Sequence, residues 1–239
     1  MVSYNSVFSN LQYYILDKNN IQKYLTINNN NNNNNNAKKI NNCKKNIFIP
    51  NHKDSLFWCF YIIKNGEFSY EKMPNKNFLV AKQNKIELIK NIRENKEKIK
   101  KYKFNSISNI EDNLANQDNL NISTFLTLCA IENINIVFIR KKTYYELIVD
   151  DTEKIYIVYE YEKYPPHRYG FEDSTNEKRE YIRKNFYNID SVEKPIKSLT
   201  YYKLDDLIVI CNKLAIEINN ENGKKKTKKD LYESIVQYF

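Results

Sequence analysis

DSLFWCFYII, at residues 54–63, combines a polar start with a long apolar remainder. Its polar start suits a helix N-cap, with Asp54 or Ser55 in that position, and Gly66 is a suitable stop. The remaining residues are apolar on nearly every side of a helix. The stretch therefore predicts a helix that is buried at the centre of a domain.

A second helix is predicted over residues 82–103, which have a partial apolar stripe and a strong excess of basic residues. The segment has nine Lys and Arg residues against three Glu residues. A solvated lysine face is the simpler interpretation of this charge, and contact with nucleic acid is the alternative. The stripe consists of Ile86, Ile89, Ile92, Ile99 and Tyr102.

A helix followed by strands is predicted in the next part of the chain. Residues 123–134 predict a helix that leads directly into a buried strand at 135–139. Two further strands are predicted at 144–149 and 154–161, joined by a turn. Helices followed by a small antiparallel sheet predict an α+β fold class.

The composition divides the chain into three parts. An N-terminal strip and an Asn-rich spacer, which is expected to be disordered, occupy residues 1–46. The α+β body spans 47–190, and a small all-α module spans 195–239.

The net charge of +9 arises in a chain that is rich in Lys, Asn, Ile and Tyr and poor in Gly, Pro and Arg. Arginine is the residue usually selected for phosphate and base recognition, so the charge alone indicates little about partners. This composition resembles that of proteins from large DNA viruses and from protists with AT-rich genomes. The resemblance implies placement in the nucleus, a virus factory or a virion.

Several kinds of site are not expected from the sequence. The four cysteines form no CxxC pair and have no zinc spacing with the two histidines, so reduced, packed thiols and no metal site are predicted. There is no P-loop and no GxGxxG motif, and no cofactor is expected. The chain lacks a long apolar run and a secretory signal at residues 1–14, which predicts an intracellular protein without membrane contact.

Two helices and a lysine-rich connection are predicted in the C-terminal module. Turn residues at 219–223 precede the segment KKKTKK at 224–229, and Thr227 is placed to cap the last helix, with Asp230 as its capping-box partner. The first helix has one apolar face, formed by Leu204, Leu207, Ile208, Cys211 and Leu214.

The module resembles the SAP motif, a helix–extended loop–helix fold whose family binds DNA. The matching residues are YKLxxL at 202–207, LxI at 214–216 and GKKKTKKxLYxxI at 223–235, and the loop at 217–222 is longer than in the family. The resemblance implies DNA as a partner.

The charge placement supports the same partner independently of the family. A helix N-terminus offers unpaired amides and a partial positive charge. Lysines clustered there would bind the phosphate backbone with little sequence specificity. A solvated lysine loop and a protein-binding surface are the alternatives. The predicted nucleic-acid-binding residues are Lys224, Lys225, Lys226, Thr227, Lys228 and Lys229.

The body resembles papain-like peptidases of the ovarian-tumour (OTU) type. The sequence SLFW at 55–58 falls on the family's C-L-F motif, residues 124–139 fall on its helix–strand unit, and a strand followed by His167 falls on its final strand and histidine. The resemblance implies a papain-like fold and, where the enzyme is active, a ubiquitin-like substrate. Ser55 stands at the nucleophile position, and His52 and Lys53 stand where the family has Asp and Gly.

The candidate catalytic residues are Ser55, Cys59 and His167. Ser55 is expected to be exposed at the helix start, where an oxyanion could be held, whereas Cys59 lies one turn inside an apolar segment, where burial would disfavour the thiolate. His167 is the expected base, with His52 as the alternative, and Glu172 or Asp173 is the candidate orienting group.

Three functions are consistent with these patterns. The first is a non-catalytic protein tethered to DNA by the SAP-like module, with an inactive OTU-like body. The second is an OTU-like peptidase, and the third is a protein–protein adaptor.

Overall fold

The computed structural model describes residues 47–73, 78–102, 104–150, 154–162, 168–220 and 223–239, which belong to one compact unit. The N-terminal strip and Asn-rich spacer predicted at 1–46 lie outside the described residues. The elements are, in chain order, α1 (Ser55–Asn65), α2 (Glu67–Lys72), α3 (Phe78–Glu94), α4 (Lys96–Tyr102), α5 (Ile107–Asn116), α6 (Ile122–Ile131), β1 (Asn135–Arg140), β2 (Thr143–Leu147), β3 (Ile155–Tyr161), β4 (Arg168–Asp173), α7 (Asn176–Asn185), β5 (Tyr187–Asn188), α8 (Leu204–Leu214) and α9 (Lys228–Tyr238).

The central helix α1 forms as the sequence predicts. The Asp54 side chain caps it by accepting the amide of Phe57, and the helix ends at Gly66, which has a positive φ of 84°. All residues from Ser55 to Phe60 are buried. The helix is enclosed because α2, α6 and β4 pack against it.

The helix predicted at 82–103 is divided into α3 and α4 at Asn95. The Asn95 amide group donates to the backbone oxygen of Asn91 at 2.8 Å, and a side chain that bonds to the backbone in this way competes with regular helical bonding. The predicted stripe is correct for Ile92 and Ile99, which are buried, but wrong for Ile86, which is 49% exposed. Helix α3 buries Leu88 and Lys85 instead.

The sheet is mixed, with the strand order β4-β3-β1-β2-β5. Strand β1 pairs antiparallel with β2 and parallel with β3. The prediction of an antiparallel sheet is therefore wrong in part, because β3 lies on the far side of β1 instead of pairing with β2. Strand β4, which the sequence analysis did not predict, completes this edge by pairing antiparallel with β3.

Both faces of the sheet are covered. Ile136 and Phe138 of β1 join the large core formed with the helices α1 to α6. Val137 and Ile139 point to the other face, where Ile182 of α7 packs against them. Coverage on both faces explains the continuous apolar sequence of β1, and the prediction of a body that combines helices with a small sheet is confirmed.

The C-terminal helices α8 and α9 enclose a separate small core. Its buried residues include Leu207, Cys211, Leu231 and Ile235. The predicted capping box is present, with Thr227 and Asp230 bonding reciprocally at the start of α9. The end of α9 contacts the β1–β2 turn, where the Tyr238 hydroxyl accepts the backbone amide of Lys142 at 2.9 Å.

Candidate functional site

The backbone of residues 224–229, here called the lysine segment, is held in a small hairpin in front of α9. Lys225 forms an antiparallel bridge with Asn219. The amide of Lys226 donates to the Ile218 oxygen at 2.9 Å, and the oxygen of Lys224 accepts the amide of Asn220 at 2.8 Å. Residues 218–220 and 224–226 are thus joined by backbone hydrogen bonds, which hold the backbone that carries the lysine side chains.

The start of α9 lies at the end of this hairpin and is open. The capping box uses the amides of Thr227 and Asp230, whose acceptors are the Asp230 carboxylate at 3.0 Å and the Thr227 hydroxyl at 3.3 Å. The amides of Lys228 and Lys229 occupy the first two helical positions, where no acceptor exists within the helix. They are available to an anion.

The lysine segment makes few contacts with acidic side chains. Lys229 Nζ lies 3.8 Å from Glu233, and both side chains are more than half exposed. Lys226 Nζ donates to the Ser234 hydroxyl at 3.2 Å. Within the described ranges, no carboxylate lies within 4.0 Å of the amino groups of Lys224, Lys225 and Lys228. The segment is exposed or half-buried, and the carboxylates that the structure describes leave most of its charge unpaired.

The second basic run, in α3 and α4, differs in this respect. Lys85 pairs with Asp54 at 2.6 Å, and Arg93 binds both oxygens of Glu111 at 2.9 Å. Lys98 donates to the backbone oxygen of Ile131 at 2.9 Å. Lys82 bonds to the Ala115 oxygen, and Lys100 pairs with Glu97. Much of this positive charge is used to hold helices together.

Ser55 does not occupy the exposed position that the sequence analysis expected. It is 1% exposed, and its hydroxyl oxygen accepts the backbone amide of Tyr169 at 2.9 Å. The expectation of exposure is wrong because β4 packs directly against the first turn of α1. The hydroxyl joins the helix to the sheet.

Cys59 lies in the core, as its apolar flanks indicated. It has no exposed surface, and burial, followed by the negative charge of Asp54, raises the pKa of its thiol well above the ordinary value. A neutral, enclosed thiol is a poor nucleophile. Cys129 and Cys211 are also buried and unpaired, which confirms the prediction of packed thiols.

Of the remaining catalytic candidates, the structure describes Glu172 and Asp173. His167 lies outside the described residues. Glu172 is occupied elsewhere, because its two carboxylate oxygens bind the Tyr159 hydroxyl at 2.6 Å and Lys178 Nζ at 2.5 Å. The alternative orienting group, Asp173, is exposed at the end of β4.

A pocket of about 230 Å³ at the start of α1 was not foreseen from the sequence. The ring of His52 lies against Trp58 with centroids 4.8 Å apart, and its Nε2 lies 2.8 Å from the Tyr70 hydroxyl. Phe78 and Lys82 of α3 form the opposite wall. The pocket depends on the packing of α3 beside α1, which no local sequence pattern indicates.

The described part of the chain offers neither a metal site nor a membrane-spanning helix. No group of three His, Cys, Asp or Glu side chains is arranged there to hold a metal ion. No helix there is both long enough and apolar enough to cross a bilayer.

Comparison with known proteins gave no relatives. No protein-family model matches the chain, and no curated protein or solved structure matches it either.

Proposed function

We propose that this chain is a nucleic-acid-associated protein that is held on the phosphate backbone of DNA by its lysine segment. The observation that carries the proposal is the open start of α9, where Lys224, Lys225 and Lys228 lack acidic partners among the described residues and are presented from a fixed hairpin. The resemblance of the module to the SAP motif supports the same assignment.

The physical basis of binding is electrostatic. Lysine side chains that neutralise phosphates release the counterions condensed on the nucleic acid, which favours binding at low salt. The free amides of Lys228 and Lys229 and the positive end of the helix dipole favour phosphate at the same place. Asp230 and Glu233 lie beside the segment and oppose binding. The expected affinity is weak and salt-sensitive, with little discrimination between bases.

The body would act as a non-catalytic platform in this proposal. Of its candidate nucleophiles, Ser55 is buried with its oxygen occupied by Tyr169, and Cys59 is enclosed in the core. Neither arrangement resembles a nucleophile that meets a substrate in an open cleft. An inactive OTU-like body fits these two residues better than an active peptidase does.

The test is a comparison of two variants that each lose three positive charges. Lys224, Lys225 and Lys228 are replaced by Gln in one, and Lys90, Lys96 and Lys101, which are exposed on α3 and α4, are replaced by Gln in the other. Binding of the full chain to a fluorescent DNA is measured by anisotropy at low salt. We expect the first variant to lose on the order of tenfold in affinity or more, and the second to lose much less.

Two results would overturn the proposal. Equal losses in both variants would mean that net charge, and not the lysine segment, determines binding. Unchanged binding in the first variant would mean that the segment does not contact DNA.

A further inference from the structure

An exposed tyrosine precedes α8 and carries an ammonium group beside its ring. Tyr201 is 64% exposed and ends a short 3-10 helix, Leu199–Tyr201. Lys197 Nζ lies 4.3 Å from the centroid of the Tyr201 ring and 3.3 Å from its hydroxyl. The Tyr202 ring lies against it in an edge contact, with centroids 5.2 Å apart. Most of the Tyr201 ring is nevertheless in solvent, with an ammonium group beside it.

The position of Lys197 is fixed by the module itself. Its amide donates to the Tyr202 hydroxyl at 3.0 Å, and its oxygen accepts the Tyr232 hydroxyl at 3.0 Å. Tyr202 is largely buried in the core of the module. Lys197 is therefore anchored to the core of the module through Tyr202 and to α9 through Tyr232.

Tyr232 connects this pair to the lysine segment. It lies on α9 four residues after Lys228, and residues with this spacing share one face of a helix. The Tyr232 hydroxyl reaches Lys197 on the same face. Tyr201, Lys197 and Tyr232 are joined by these contacts, and Lys228 lies one helical turn before Tyr232. These four residues are here called the tyrosine–lysine strip.

We propose that the tyrosine–lysine strip binds single-stranded nucleic acid, with one base stacked on Tyr201 and phosphates held by Lys197 and the lysine segment. The inference rests on the proposed function and specifies its ligand. Aromatic side chains beside a basic track are suited to a single strand, because its bases have open faces. In a duplex both faces of each base are covered by its neighbours, so an exposed tyrosine gains no stacking there.

An acidic residue at the edge of the strip allows a second test of the role of Lys197. Asp190 pairs with Lys197 at 2.9 Å, and the two side chains are 72% and 47% exposed. Exposed ion pairs of this kind contribute little to stability, so a phosphate can displace the carboxylate. Replacement of Asp190 by Asn would release Lys197 and strengthen binding of the strand.

The test compares Tyr201→Ala with Tyr181→Ala in the full chain. Tyr181 on α7 is 63% exposed, so it controls for the loss of an exposed tyrosine. The probes are oligo(dT), oligo(U) and a mixed-sequence duplex, each of about 20 nucleotides, which exceeds the site size of most single-strand folds. Oligo(dT) and oligo(U) separate DNA from RNA as the source of the strand.

We expect Tyr201→Ala to weaken binding of one or both single strands by at least about fivefold and to leave duplex binding unchanged. Tyr201→Phe, which keeps the ring, should bind as the natural chain does, and Asp190→Asn should bind more tightly. Because Tyr201→Ala removes no charge, the salt dependence should not change. A thermal melt of each variant checks that the module is still folded.

The inference fails if Tyr201→Ala and Tyr181→Ala bind the single strands equally well, or if Asp190→Asn has no effect on binding. Failure of the proposed function looks different, because replacement of Lys224, Lys225 and Lys228 would then leave binding of every probe intact. If the lysine variant loses affinity and Tyr201→Ala does not, the lysine segment binds the phosphate backbone but Tyr201 does not stack on a base.

Discussion

Lys85 Nζ lies 2.6 Å from Asp54 Oδ2, and the two side chains are almost completely buried. The other oxygen of Asp54 accepts the amides of Phe57 at 3.2 Å and of Leu120 at 3.0 Å. One carboxylate therefore joins α3, the first turn of α1 and the segment before α6. This contact joins α3, which forms one wall of the pocket, to the central helix α1.

Replacement of Lys85 by Met should destabilise the protein by about 3–5 kcal/mol, because it leaves a buried carboxylate without its cation. The double variant Lys85→Met with Asp54→Asn should recover part of the lost stability, since Asn still caps a helix well and carries no charge. Urea unfolding gives the free energies. Lys90→Met on the same helix is the exposed control. Additive losses for Lys85→Met and Asp54→Asn would mean that the two residues do not interact.

Iodoacetamide should not modify Cys59 in the folded protein at pH 8. Burial keeps the thiol protonated by raising its pKa and also blocks the reagent. Mass spectrometry of peptides from native and urea-unfolded samples measures the labelling, and the unfolded sample shows that the reagent is active. Stoichiometric labelling of native Cys59 would contradict the non-catalytic interpretation of the body.

Gly170→Ala should destabilise the protein by about 1–3 kcal/mol through overpacking. A Cβ at this position would lie 2.8 Å from Ile49 Cγ1 and 3.0 Å from the Phe48 oxygen. The Phe48 oxygen has little room to move, because it accepts the amide of Phe171 at 2.9 Å. Thermal or urea unfolding measures the loss. Ile49→Ala, at an exposed side chain, should recover part of it, and no loss for Gly170→Ala would show that residues 47–49 do not cover β4.

The capping box should make the start of α9 sensitive to acid. Hydrogen bonds from the Thr227 side chain and then its backbone amide hold the pKa of Asp230 below its usual value. A lowered pKa in the folded state means that the stabilisation is present above the unfolded pKa, about 3.9, and is lost as pH falls through the folded value. An NMR titration should show this depressed pKa in the natural chain and a rise toward the ordinary value in Thr227→Ala. An ordinary pKa in the natural chain would contradict the capping geometry.

Local patterns were sufficient for the elements that local chemistry determines. The uniform apolar character of residues 54–63 predicted the buried α1, and the Thr227 and Asp230 pattern predicted the start of α9. The lysine segment was also visible, because its charge is consecutive in the sequence. These features depend on neighbours a few residues away.

Tertiary contacts determined what the sequence analysis missed. The parallel pairing of β3 with β1 makes the sheet mixed, and β4 pairs with the outer edge of β3. Ser55 was expected to be exposed, but β4 covers it. Lys85 was counted with the solvated charges, although its partner Asp54 lies 31 positions earlier in the sequence. In each case the deciding neighbour is remote along the chain.

The most direct test of nucleic-acid binding through the lysine segment is the salt dependence of affinity for an oligo(dT) strand. The logarithm of the association constant is measured against the logarithm of salt concentration, for the natural chain and for the Gln variant of Lys224, Lys225 and Lys228. Each phosphate contact on a single strand contributes about 0.7 to the slope. If the three lysines each neutralise one phosphate, the slope for the variant will be shallower by about 2. Identical slopes would contradict the account, because the three ammonium groups would then release no counterions on binding.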